Sequence, residues 1–237
     1  MSTESPSEES QVPDYVADND WEKELNYKTW VTKAARFQAN KRLLETHKLS
    51  SVTISVLSCC LIIAASLPIY VGNASLPFPS YWLNFLITSI SILVLVFTQI
   101  ESSSHYNLEA HKFHTNALKI ANIYNELRIA KHIEDDEERF KTIIPLTRKY
   151  ESVLAECENH EPIDYAISKT KKSEYFTLSD EEKKKIYKEY DWKVRKKYQF
   201  IIGSVVLFTL GLTIAVIVSP LIAPTTQKAN QSQVATP

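Results

Sequence analysis

Three stretches of this chain carry no Asp, Glu, Lys, Arg or His: Val52–Val71, Trp82–Gln99 and Phe200–Ser219. An α-helix rises about 1.5 Å per residue, so roughly 20 residues cover the ~30 Å hydrocarbon core of a bilayer. Backbone polar groups have no water partners at that depth, which leaves a helix as the form such a segment takes. The sequence therefore predicts an all-α membrane protein. Its parts are an N-terminal basic helix, a transmembrane hairpin (52–71 and 82–99), a cytoplasmic helical region and a C-terminal transmembrane helix (200–219). The third stretch is as apolar as the others and is read as spanning; a re-entrant or bundle-packed helix is the alternative.

The mean hydropathy of -0.19 and net charge of -1 hide a partition, because the charges lie outside these stretches. Residues 1–20 hold six acidic side chains, no Lys or Arg, and several Ser and Pro, the composition of a disordered acidic tail rather than a secretory leader. Seven Lys and Arg fall between Lys23 and Lys48, and eight between Lys183 and Tyr198. The loop Gly72–Tyr81 has none, and the 220–237 tail has only Lys228. Positive charge stays on the cytoplasmic side, which predicts a multi-pass protein of a bacterial inner membrane. Its N-terminus and Ile100–Gln199 face the cytoplasm, and the short loop and tail face outside. Tyr70, Tyr81 and Trp82 then sit at the outer interface, with Pro68, Pro77 and Pro79 around the turn.

In the polar part, Tyr27–Leu49 reads as a helix entering the first span, and Glu101–Lys131 as an unbroken continuation of the second. Tyr106, Ala110, Phe113, Ala117, Ile120 and Tyr124 recur at helical spacing and mark a packing face. Pro145 is expected to interrupt the helical pattern before Leu146–Glu158 resumes it. Asn159–Tyr165 reads as a polar turn docked against the helices. The segment 169–199 reads as a basic cytoplasmic helical region; within it Ser179 and Glu182 fit a capping box, and the basic helix that begins there runs into the third span.

Enzyme chemistry finds no support: there is no phosphate-binding glycine loop and no nucleophile elbow. Cys59, Cys60 and Cys157 have neither zinc nor disulfide spacing and read as packing residues. His105, between Glu101 and Glu109 at four-residue spacing, reads as a solvated ladder. No metal, cofactor or direct nucleic-acid binding is expected. The spans also lack the mid-membrane ionisable groups of an ion-coupled transporter.

The spans do carry weakly polar stripes. In the second, Asn84, Thr88, Ser91, Thr98 and Ser102 fall within about 80° of arc and are candidates to line a pore. Ile90 and Val94 lie off the stripe and are expected to face outward. In the first span Ser51, Ser55, Ser58 and Ser66 form a similar stripe, and Gly211 lies on a small-residue face of the third. These are helix-packing candidates.

The basic entry helix with Arg36 and Arg42, the two-span hairpin, and the Tyr106 to Tyr124 pattern with Phe113 together resemble the SLATT family. This is a family of two-transmembrane effectors associated with SMODS nucleotidyltransferases and SLOG sensors. Asn159, His160, Asp164 and Tyr165 resemble its fifth, reverse-transcriptase-associated branch. The resemblance covers roughly 21–168 and leaves the third span as an addition or a trait of the branch. It implies a pore-forming or membrane-perturbing effector of bacterial anti-phage conflict that homo-oligomerises in the membrane. A nucleotide-signalling enzyme or a reverse transcriptase would be its partner. The alternative is a non-conducting, membrane-anchored scaffold that recruits a cytoplasmic defence protein.

Overall fold

The structure is a computed structural model that describes residues 20–71 and 80–222. The acidic tail, the outer loop and the C-terminal tail inferred from sequence lie outside the described residues. Every regular element among those described is a helix. In chain order they are α1 (Trp21–Val71), α2 (Ser80–Ser103), α3 (Tyr106–Ala130), α4 (Asp136–Ala155), α5 (Pro162–Thr170), α6 (Ser173–Phe176) and α7 (Asp180–Asp191). A π-helical turn at Trp192–Lys196 leads into α8 (Lys197–Ile222). Three of these helical stretches are long and apolar enough to cross a membrane.

The chain divides into two compact units. One holds residues 20–43 with Asn107–Glu189; the other holds Leu44–Tyr106 with 190–222. In the first unit α3 and α4 pack Ile120, Ile123, Leu127, Ile143 and Leu146 with Leu25 of α1. Each such fully buried aliphatic side chain contributes roughly 1.5–3 kcal/mol. The face expected on α3 is the one buried: Ala110, Phe113, Ala117 and Ile120 are at most 6% exposed. Tyr106 and Tyr124 lie at its margins.

Three expectations need correction. The helix after the second span is not continuous, because it stops at Ser103 and restarts at Tyr106. His105 sits at φ 45°, and the Ser103 and Ser104 hydroxyls both bond to the Ile100 carbonyl. Short hydroxyl side chains compete for the backbone in this way, and a left-handed residue ends the helix. The break also dissolves the supposed Glu101-His105-Glu109 ladder.

Pro145, by contrast, does not interrupt α4. It lies on the exposed side, where the carbonyl it leaves unpaired at exposed Lys141 reaches water, while Ile143 and Leu146 anchor the opposite face. Asn159–Tyr165 is not a turn throughout, since α5 begins inside it. Pro162 occupies the first helical turn, and Glu161 and Asp164 form a reciprocal capping box. That placement suits proline, which lacks the N–H that a first turn leaves free. The box at Ser179 is as read from sequence: Glu182 N–H donates to Ser179 Oγ at 3.2 Å, and Ser179 N–H to Glu182 Oε2 at 2.8 Å.

Candidate functional site

In the second unit the question is which face of each span the chain covers for itself. Leu57 and Ala64 of α1, Leu83 of α2 and Thr209 of α8 are buried. Around them the three helices line a half-open apolar cavity of about 430 Å³. Ile90, Val94 and Phe97 of α2 line it with Phe208 of α8. Ile90 and Val94 therefore face the chain's own helices, which corrects their outward assignment.

At 100° per residue, the cavity face of α2 is centred roughly 120° from the Asn84–Ser102 stripe. Asn84, Thr88 and Ser102 are exposed, and Ser91 and Thr98 are half-buried. α8 thus leaves Asn84, Thr88 and Ser102 of the stripe uncovered. The hydroxyls of Thr88, Ser91 and Thr98 donate to the carbonyls of Asn84, Ile87 and Val94 at 2.8, 2.7 and 2.8 Å. Each donor is satisfied inside its helix while the oxygen keeps a lone pair outward. The Asn84 amide makes no hydrogen bond among the described residues.

On α1, Ser51, Ser55 and Ser58 are exposed and Ser66 half-buried, whereas Thr46, Ser50 and Thr53 are among the buried residues. Within one chain α1 therefore packs through the Thr53–Leu57–Ala64 face. A side chain added at Gly211 would meet nothing within 4 Å, so that glycine permits no close helix approach inside the chain.

The entry to α8 is tied down by side chains that sequence reasoning passed over. Glu45 accepts from Arg195 Nε at 2.5 Å and from the Tyr190 hydroxyl at 3.1 Å. Tyr198, fully buried, donates to Glu101 at 2.9 Å. π-helical turns recur at functional positions; here the turn carries Arg195 and the buried Val194.

In the first unit the structure joins Arg42 to Asp164 and sets His160 within electrostatic reach of Asp164 and Arg36. Arg42 donates to Asp164 Oδ1 at 2.8 Å and Oδ2 at 3.0 Å, and its Nη1 lies 2.8 Å from Glu161. Arg36, 1% exposed, donates to the Asn116 side-chain oxygen and, at 3.4 Å, to the Leu154 carbonyl. Its Nε has no partner among the described residues, nor does the buried Nδ1 of His160. Burial lowers the affinity of both groups for a proton; Asp164 opposes this at His160. Tyr165 is half-buried beside Phe176, and Asn159 is exposed. The hydrogen-bonding Asn116, on the buried face of α3, is a member of this cluster that periodicity alone could not distinguish from core.

One comparison with known proteins finds a match. The model of the SMODS and SLOG-associating 2TM effector domain family 5 fits residues 18–225, and the chain belongs to that family. The match runs past the end of the chain's apolar C-terminal helix, so that helix lies inside the family's region and is not an appendage. No curated protein and no solved structure matches the chain. The protein is thus a membrane-associated effector-domain protein.

Proposed function

We propose that copies of this protein assemble in a bacterial inner membrane into a pore that depolarises the cell as an anti-phage response. The observation that carries this reading is the orientation of the α2 stripe. Asn84, Thr88 and Ser102 are exposed on a helix whose apolar face, roughly 120° around the axis, is committed to the cavity against α1 and α8. Polar groups on a membrane helix gain by facing another helix or water rather than lipid. A ring of chains presenting such faces inward has hydroxyl and amide oxygens along its axis and no fixed charge. The exposed Ser51, Ser55 and Ser58 of α1 offer small side chains for the contacts between copies.

The direct experiment is controlled expression of the full chain with a membrane-potential dye, alone and with its neighbouring genes and phage. Loss of potential, with cross-linked oligomers in the membrane fraction, supports the pore. Retained potential under every condition replaces it with the non-conducting scaffold.

A further inference from the structure

One part of the first unit adjoins the motif residue Tyr165 through Phe176 and is built from a different chemistry. Tyr27, Trp30 and Lys33 recur at three-residue spacing on α1. Trp30 stacks on Phe176 at 5.7 Å between centroids and 10° between planes, and meets Tyr175 edge-on at 5.0 Å. Tyr27 stacks against Tyr175 at 6.5 Å and 28°. Tyr175 nevertheless stays 63% exposed. It is an open ring held in place by three others, and such a ring is a platform for another planar ring.

Cations lie on the neighbouring turns, and the Lys169 ammonium is 5.2 Å from the centroid of the Phe176 ring. Lys33 is half-buried, with its ammonium 3.8 Å from the centroid of the Tyr124 ring. Arg128 follows Tyr124 by one turn of α3. Lys172 shares a small crevice with Trp30 and Phe176, and its carbonyl accepts the Tyr175 N–H at 3.0 Å.

Among the described residues none of Lys33, Arg128 and Lys172 makes an ion pair. In the same unit Lys112, Lys119, Lys141 and Lys149 each have a carboxylate within 2.8 Å. Burial, then Arg128 and Lys172, hold the Lys33 ammonium below the usual lysine range. Like charges gathered with no carboxylate partner among the described residues repel, and a multivalent anion relieves that repulsion.

The geometry points to a nucleotide-binding site here, with phosphates received by Lys33, Arg128 and Lys172 and the base stacked on Tyr175. A single open ring suits a mononucleotide or a very short oligonucleotide. A strand-binding groove carries a succession of rings along a basic track. This site is distinct from the α2 stripe and holds whether or not the protein conducts.

The test uses the full chain in nanodiscs of zwitterionic lipid, titrated by calorimetry with ATP, tripolyphosphate and adenosine. ATP should bind, and binding should weaken at least about tenfold as salt rises from roughly 50 to 500 mM. Adenosine should not bind. Lys33→Gln and Arg128→Gln should each weaken ATP and tripolyphosphate alike, by about tenfold. Tyr175→Ala should weaken ATP by about tenfold and leave tripolyphosphate unchanged, the signature of lost base stacking. Lys112→Gln should change nothing. Arg128 and Tyr175 are exposed, so those variants fold even if Lys33→Gln does not. Absence of ATP binding at millimolar concentration overturns the proposal. So does ATP binding that ignores both Arg128→Gln and Tyr175→Ala. Tripolyphosphate binding as tightly as ATP, with Tyr175→Ala silent, leaves a plain anion site and overturns the nucleotide assignment.

Discussion

The carboxylate of Asp164 is completely buried and receives the Arg42 guanidinium side-on, at 2.8 Å from Nε and 3.0 Å from Nη2. The two residues are far apart in sequence, so this pair fixes α5 against α1 within its unit. Its Oδ2 also caps α5 by accepting the Glu161 N–H at 3.2 Å. Removing one partner of a buried pair strands the other, which costs about 3–5 kcal/mol. Asp164→Ala should therefore lower the stability measured by chemical unfolding by that amount and reduce abundance. An Asp164→Ala protein of normal stability and oligomer size that fails to respond to infection would assign Asp164 to trigger recognition instead.

A pH dependence follows from His160. Burial pushes its imidazole below the ordinary value of 6.5, with Asp164 opposing and Arg36 adding to the shift. The fold thus prefers the neutral ring, and as pH falls the unfolded chain takes up the proton first. The stabilising contribution is complete above the unfolded pKa and is lost as pH falls through 6.5 toward the folded value. Thermal melting between about pH 7.5 and 5.5 should show falling stability, and His160→Asn should flatten that slope. An unchanged slope would exclude His160 as its source.

The ties at the start of α8 predict a second, separate effect. Tyr198 is buried, and its hydroxyl meets a carboxylate, Glu101, at 2.9 Å. Hydrogen bonds to charged groups contribute about 1.5–3 kcal/mol. Tyr198→Phe should cost about that much in detergent-solubilised protein, measured by denaturant titration. Glu45→Gln should cost less, because Arg195 is exposed. Equal stability of Tyr198→Phe and the parent would show that the contact holds nothing.

The three long apolar helices were legible in the sequence because a hydrocarbon core demands the exclusion of charge over about 20 consecutive residues, and helices bathed in water do not sustain it. The α3 packing face was legible because Ala110, Phe113, Ala117 and Ile120 keep a helical period. Local competition was not legible. Nothing in the pattern announces that neighbouring serines would draw on the Ile100 carbonyl and let His105 turn left-handed, or that Pro145 would fall on the solvent side. The start of α5 could have been found: Glu161-Pro162 followed by Asp164 is a first-turn proline inside a capping box. The partners of Arg36 and Arg42 depend on tertiary approach, which no spacing along the chain encodes. The cavity reassigns Ile90 and Val94 for the same reason, since a helical stripe locates polar groups but not the neighbour of the opposite face.

Topology is tested by reporter fusions. A periplasm-active reporter placed after Asn73 or after Gln231 should report outside, and one placed after Ser173 should report inside. These follow from the Lys and Arg asymmetry across the spans. A Gln231 fusion that reports inside would show that the third apolar helix does not cross.

The most direct test of the pore is conductance of Thr88→Leu/Ser91→Leu. This double variant keeps the span hydrophobic while replacing two oxygens on the stripe with alkyl groups, and an apolar constriction closes a path by dewetting. Phe85→Leu and Val96→Leu, exposed but off the stripe, are the matched controls. Membrane potential after induction should be retained by the double variant and lost with the parent and both controls, at equal membrane insertion and oligomer size. Depolarisation by the double variant as complete as by the parent would contradict the account.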